Sequence, residues 1–163
     1  MKKIVFIRHA KSSWDYDASD IDRPLKMRGI EDAYLVADKL KSHLSTPDKI
    51  VSSPANRAIH TALIFLRQLN IDPSLVSINQ SLYDFEGTSL MENIQNTDNH
   101  INTLMLFGHN HAMTSIVNML GNKFIDNVPT AGVVVINFTS STWQQVTKEQ
   151  GTTELTLFPK DFK

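Results

Sequence analysis

The sequence predicts an α/β fold, a three-layer α/β/α sandwich in which helices cover both faces of a mostly parallel central sheet. Three observations predict it. Short β-rich runs alternate with helical apolar patterns along the whole chain. The helical patterns are long enough to carry the chain back between parallel strands. No repeat, low-complexity tract or internal linker interrupts the alternation, so the 163 residues read as a single domain, 1–163.

The first strand is Lys3–Arg8. A polar loop, Asp15–Asp22, and the Arg23-Pro24 turn lead into a helix with Ile30, Ala33, Ala37, Leu40 and Leu44 at helical spacing, closed by Thr46-Pro47. Lys49–Ser52 is a compact second strand. Pro54 suits a helix start, and Ala55, Ala58, Ile59, Ala62, Leu66 and Leu69 follow along one stripe. Leu75–Ile78 reads as a third strand. Ser89 is placed to cap a short helix through Asn96, with Glu92 at capping-box spacing. Thr103–Phe107 is the most apolar strand, and Ala112–Leu120 the helix after it. Gly132–Phe138, Trp143–Val146 and Leu155–Phe158 read as late strands.

Composition narrows the function. The net charge of −1 provides no basic field for nucleic acid or an anionic membrane, so any anion site must be local. The absence of cysteine removes disulfides, thiolate metal sites and cysteine nucleophiles together. The apolar run after Lys2 and Lys3 is too short for a signal-peptide core, and no run approaches a membrane span; a cytoplasmic protein is expected.

Three strand ends carry polar residues that a core element does not need. The first ends "IRHAKSS", the second runs into "SSPANRAIHTA", and the fourth ends "LFGHNHAMTS". In a parallel sheet these ends share one edge, where ligands bind. Arg8, His9, Arg57 and His109 therefore converge on one pocket. Arg57 falls in the first turn of its helix, which itself favours an anion. Two guanidiniums matched to phosphate oxygens, beside two imidazoles that titrate near neutrality, describe a phosphate pocket with groups able to attack or carry protons. A neutral His9 presents a nitrogen lone pair if its Nδ1–H is held, a backbone carbonyl being the expected acceptor. Taken singly, Arg8 and His9 fit a satisfied ion pair at a strand end, and Arg57 a surface helix residue; the convergence overrides both. His109 and His111 form an H-x-H pair without a third ligand at metal spacing, so no metal and no cofactor is expected.

In order and spacing, "RHAKS", "SSPANRAIHTA" and "LFGHN" resemble the histidine phosphatase (phosphoglycerate mutase-like) superfamily, and more closely its small bacterial phosphohistidine phosphatase branch. "DRPLKMRG" at Asp22–Gly29, "SLYD" at Ser81–Asp84, "NVPTAGV" at Asn127–Val133 and Trp143 add to the resemblance, which covers nearly the whole chain. It implies that His9 is the nucleophile, phosphorylated on Nε2, that Arg8 and Arg57 hold the phosphoryl oxygens, and that His109 donates to them, best as an imidazolium. Ser12 falls on the family's serine and adds a hydrogen bond. The sequence departs at Ala10, where mutases carry glycine, and at His111, where the branch commonly carries proline. It offers no convincing equivalent of the glutamate that protonates alkoxide leaving groups. Tyr83, Asp84, Glu86 and His111 are the candidates for an acid or pocket rim, and Trp14 and Tyr83 for the entrance. Phosphohistidine on a protein is the expected substrate, since its imidazole leaves more readily than an alkoxide. The alternatives are a small phosphate ester, or a phosphate-binding interaction domain with little turnover. A monomer is expected.

Overall fold

The computed structural model describes residues 1–147 and 150–163. In chain order its elements are β1 (Lys2–Arg8), α1 (Met27–Leu40), β2 (Lys49–Ser52), α2 (Asn56–Leu69), β3 (Val76–Ile78), α3 (Thr88–Gln95), β4 (Thr103–Gly108), α4 (Ala112–Leu120), β5 (Val133–Phe138), α5 (Trp143–Val146) and β6 (Thr152–Leu157). The strands form one sheet in the order β3-β2-β4-β1-β5-β6. β1 to β4 are parallel, and β5 and β6 run antiparallel to their neighbours.

The expected layering follows from β1 itself. Ile4 and Phe6 pack on one face with residues of α3, α4 and α5; Val5 and Ile7 pack on the other with residues of α1 and α2. A strand buried on both faces has no solvent side, and hence reads as a continuous apolar run. Each large side chain so buried contributes about 1.5–3 kcal/mol of hydrophobic stabilisation.

Four readings are corrected. The α1 pattern continues to Leu44, but the helix stops at Leu40, and Leu44 packs against the core from the following turn. Periodicity alone cannot distinguish another helical turn from a loop that folds back. The short helix after Phe85 is capped by Asp84 rather than Ser89: Asp84 Oδ1 accepts from the Glu86 amide and Oδ2 from the Gly87 and Leu90 amides, all at 3.0 Å. Gly87, at φ 120°, makes the entry turn that lets this carboxylate reach the helix end. Trp143–Val146 is a helix and not a strand. Trp143 and Val146 are buried while Gln144 and Gln145 are exposed, the i, i+3 pattern of a helical turn, and the Trp143 indole N–H donates to the Ile101 carbonyl at 2.9 Å. The last strand begins at Thr152, ahead of the expected Leu155.

The reversal at β5 matters for the site. Val133 pairs with Ile7, so β5 starts beside the carboxyl end of β1 and runs away from it. The segment before it, residues 128–132, therefore lies against Arg8 and His9. Gly29 fixes the opposite side: a Cβ there would run into the Lys11 carbonyl, so α1 can approach the loop after His9 only without a side chain. Among the described residues no helix is long and apolar enough to cross a membrane.

Candidate active site

The parallel register brings the strand ends together. Arg8 pairs with Gly108 across β1 and β4, and Ser52 with Phe107 across β2 and β4. Beyond the last paired residues the backbone stays tied, His9 N to Gly108 O at 3.0 Å and Ser53 N to Phe107 O at 3.0 Å. Arg8, His9, Arg57 and His109 thus meet at one edge, as expected. Arg8, His9, Ser12 and Arg57 line a cavity of about 280 Å³, together with Trp14, Asp20, Arg23 and Phe85.

His9 is only 8% exposed, and its Nδ1 sits 2.7 Å from the Ala10 carbonyl oxygen. A carbonyl can only accept, so Nδ1 carries the proton and Nε2 the lone pair. The Ala10 amide is fixed in turn by Thr61 Oγ1 at 2.9 Å, and that hydroxyl donates to the Arg57 carbonyl at 2.7 Å. Thr61 therefore couples the loop carrying His9 to the helix carrying Arg57. Burial, helped by the cationic field of Arg57 and Arg8, pushes His9 down to about 3, so the ring is neutral at physiological pH.

His109 lies 5.2 Å from His9, ring centroid to centroid. Its Nδ1 faces Arg57 Nη2 at 3.4 Å and its Nε2 faces Ser53 Oγ at 2.8 Å. A guanidinium can only donate, so Nδ1 accepts and Nε2–H donates to Ser53. Burial and the neighbouring arginines hold His109 at about 3 as well. The expected imidazolium is therefore not the state of the free site; the cations meant to help it hold phosphate keep it neutral.

The arginines are anchored by their ends. Arg8 Nη1 donates to the Val128 carbonyl at 2.8 Å. Arg57 Nη1 donates to the Asp20 carbonyl at 2.6 Å and Nη2 to Asp20 Oδ2 at 2.9 Å. The Nε atoms of both arginines are buried and have no hydrogen-bond partner among the described residues. A buried guanidinium donor left unpaired is costly, and two beside one cavity mark a place where an oxyanion would complete them.

Asp20, Phe85, Ser53 and Thr61 were not picked out from the sequence, and Arg23 only as part of a turn. Asp20 gathers the most partners: besides Arg57, its Oδ2 accepts from Tyr83 OH at 2.6 Å and its Oδ1 from Arg23 Nη1 at 3.2 Å. These donors hold the carboxyl at about 2, against the effect of its partial burial. Arg23 also donates to Ser12 Oγ at 2.6 Å and to the Ser13 carbonyl at 3.1 Å. Arg23 pairs with Asp20, one turn away across the 3-10 turn Asp20–Asp22. That i, i+3 spacing was the available signal.

The candidate acids do not gather in the pocket. Asp84 is engaged by its three backbone amides, which lower its pKa. Glu86 is exposed and lines a separate groove between α3 and α4. His111 is the exposed N-cap residue of α4. Tyr83 does reach the rim, its ring edge-on to His109 at 5.3 Å, but its hydroxyl is held by Asp20, which raises its pKa. No group of three His, Cys, Asp or Glu able to hold a metal occurs among the described residues.

Two neutral histidines set the acid stability. Each binds its proton near pH 6.5 when unfolded and only near 3 when folded, so the unfolded state takes up more protons between these values. Stability is therefore expected to fall as pH drops below 6.5, by at most about 1.4 kcal/mol per unit for each ring and less for the coupled pair. Urea midpoints measured from pH 7.5 to 4.5 check this, and a flat midpoint contradicts it. Asp20 acts lower: its contribution is full above 3.8 and is lost as pH falls towards 2.

Comparison with known proteins bears on the fold and the family. An uncharacterized protein of Mycobacterium tuberculosis is 28% identical over 140 residues, covering 80% of this chain and 85% of that one. The structure of the protein histidine phosphatase SixA complexed with tungstate superposes with a TM-score of 0.82 at 20% identity, covering 99% of both chains. A putative phosphohistidine phosphatase SixA from Agrobacterium tumefaciens superposes with a TM-score of 0.77 at 24% identity, covering 96% of this chain and 97% of that one. These likenesses establish the phosphoglycerate mutase-like α/β fold. Residues 4–87, just over half of the chain and including His9 and Arg57, match the family model itself, and the chain belongs to the histidine phosphatase superfamily, branch 1.

Proposed function

We propose that the protein is a metal-independent phosphatase that takes the phosphoryl group of a protein-borne phosphohistidine onto His9 and then passes it to water. The observation that carries this reading is the state of His9: buried, neutral, with its proton held on Nδ1 by the Ala10 carbonyl and its Nε2 lone pair left for phosphorus. Family membership and the tungstate complex of a similar structure, tungstate being a tetrahedral oxyanion like phosphate, support the phosphatase reading.

The Nε2 lone pair of His9 forms a bond to phosphorus while the opposite P–N bond breaks, its electron pair passing to the substrate ring. Arg8 and Arg57 stabilise the charge on the equatorial oxygens, where most catalysis of phosphoryl transfer lies. The dianion beside His109 opposes the arginine field and favours proton uptake at Nδ1, which turns that atom from acceptor into donor. A water oxygen then bonds to phosphorus, the P–Nε2 bond breaks, His9 regains its lone pair and the water proton passes to phosphate.

The choice of phosphohistidine over an ester follows from the acids. With Asp84 spent as a helix cap, Glu86 on another groove and Asp20 held ionised, no carboxylic acid in the pocket stands ready to protonate an alkoxide. The expected result is a kcat/KM for a phosphohistidine peptide about 100-fold or more above that for a phosphoserine peptide, with an acid-labile enzyme adduct trapped on quenching. Equal turnover of the two peptides would favour the ester phosphatase, and tight binding without product release the interaction domain.

A further inference from the structure

We propose that the mouth of the His9 pocket is a leaving-group subsite for a flat, protonated nitrogen ring, in which Trp14 and Phe85 supply aromatic faces and Asp20 accepts the ring N–H. The proposal rests on the phosphatase reading above and assigns residues that reading does not use.

The cavity has two ends. Arg57 and His9 are 2% and 8% exposed, whereas Phe85 is 43% and Trp14 75% exposed, and all four line the same space. The phosphoryl group belongs with the buried arginines, and about 280 Å³ leaves room for more than that group. What remains is the aromatic pair Trp14 and Phe85, the carboxylate Asp20, and two cations, Lys11 and Arg23, of which Arg23 is already engaged by Asp20, Ser12 and the Trp14 ring. The Arg23 guanidinium lies 3.2 Å from the centroid of the Trp14 ring and covers one indole face, while the indole as a whole stays exposed and lines the cavity. Phe85 is fixed between Tyr83 and His109, with centroid distances of 5.1 Å and 4.9 Å. Held aromatic faces beside an anion pocket suit a planar cation.

Asp20 supplies the sign. Tyr83 and Arg57 both donate to Oδ2, while among the described residues Oδ1 receives only Arg23 at 3.2 Å, so Oδ1 keeps acceptor capacity. A phosphorylated imidazole protonated on its far nitrogen offers both a positive ring for the aromatic faces and an N–H for Oδ1. When the P–N bond breaks, the electron pair moves onto the ring, which departs as neutral imidazole with the far N–H still on Asp20. An oxygen leaving group instead develops negative charge beside the same carboxylate. The mouth therefore discriminates between P–N and P–O substrates by stacking and by charge.

The intact protein is assayed on three donors: phosphoimidazole, phosphoramidate (which releases ammonia and has no ring) and p-nitrophenyl phosphate (whose leaving group is anionic). Trp14→Ala and Phe85→Ala should each lower the ratio of kcat/KM on phosphoimidazole to that on phosphoramidate about five- to tenfold. Asp20→Asn should lower the ratio of phosphoimidazole to p-nitrophenyl phosphate about tenfold. Ratios are internal to each preparation, so partial loss of folded protein cancels. Unchanged ratios in Trp14→Ala and Phe85→Ala overturn the aromatic subsite, and an equal loss on both donors in Asp20→Asn reduces Asp20 to a positioning residue for Arg57. If wild-type protein forms phospho-His9 from phosphoramidate while every ratio stays fixed, the subsite alone fails; if no donor labels the protein, the phosphatase reading fails with it.

Discussion

Replacing His9 by alanine is expected to lower phosphohistidine hydrolysis by about 10⁴-fold or more and to abolish the acid-labile adduct. The size of the loss follows from what no neighbour can replace. His109 has a similar pKa, but its Nδ1 faces Arg57 and its Nε2 is committed to Ser53, so neither nitrogen is presented as a nucleophile. The two arginines stay anchored by Val128 and Asp20 in such a variant, so inorganic phosphate should still bind. Rapid acid quench after mixing with a phosphohistidine peptide, with phosphate affinity measured alongside, separates the two effects. Retention of the adduct in His9→Ala would move the nucleophile elsewhere.

The second large effect is expected at Arg57. Arg57→Ala should cost about 10²–10³-fold in kcat, the scale for removing a preorganised donor from a developing anion. Arg57→Lys should recover little of it. The guanidinium divides its donors between the Asp20 carbonyl, the Asp20 carboxylate and His109, leaving Nε without a partner among the described residues. One ammonium cannot reproduce that geometry. Both variants also leave the Asp20 carboxylate without its main cation, so Tm should fall together with kcat. A lysine variant that keeps more than about a tenth of wild-type activity would show that Arg57 acts only as a charge.

The four residues at the strand ends were legible because parallel topology is itself a placement rule. Once the strands read as one mostly parallel sheet, the ends carrying Arg8, His9 and His109 and the helix start carrying Arg57 had to share an edge. The residues that were missed sit where no such rule applies. Asp20 and Arg23 lie in a polar loop whose course depends on what it meets 34 or more residues later, through contacts to Asn56, Arg57 and Tyr83. Asp84 looked like an acid because its sequence neighbourhood resembles the site, yet three backbone amides claim its oxygens. Composition does not show whether a carboxylate is facing substrate or closing a helix. The protonation state of His109 in the free site was not legible for a related reason. A lone histidine near arginines reads as a donor to phosphate, whereas burial with those same arginines expels its proton.

The loop that carries Trp14 and Asp20 is pinched shut at its base. Ser12 and Leu25 form an isolated antiparallel bridge, and Ser13 N to Pro24 O and Lys26 N to Lys11 O complete the neck at 2.8 Å and 2.9 Å. A loop closed in this way behaves as a cassette: its interior can be lengthened, shortened or exchanged while its ends stay where the sheet and Gly29 hold them. The contacts described above that tie its interior to pocket residues are few: Asp20 to Arg57, Tyr83 and Arg23, Trp14 to Arg23, and the Asn56 amide on the Asp22 carbonyl. On the reading proposed above, grafting alternative 14–22 segments that retain an acidic residue opposite Arg57 is thus a route to retargeting the enzyme, because the residues that would grip phosphate and the surface that would meet its carrier are separable parts of one short chain.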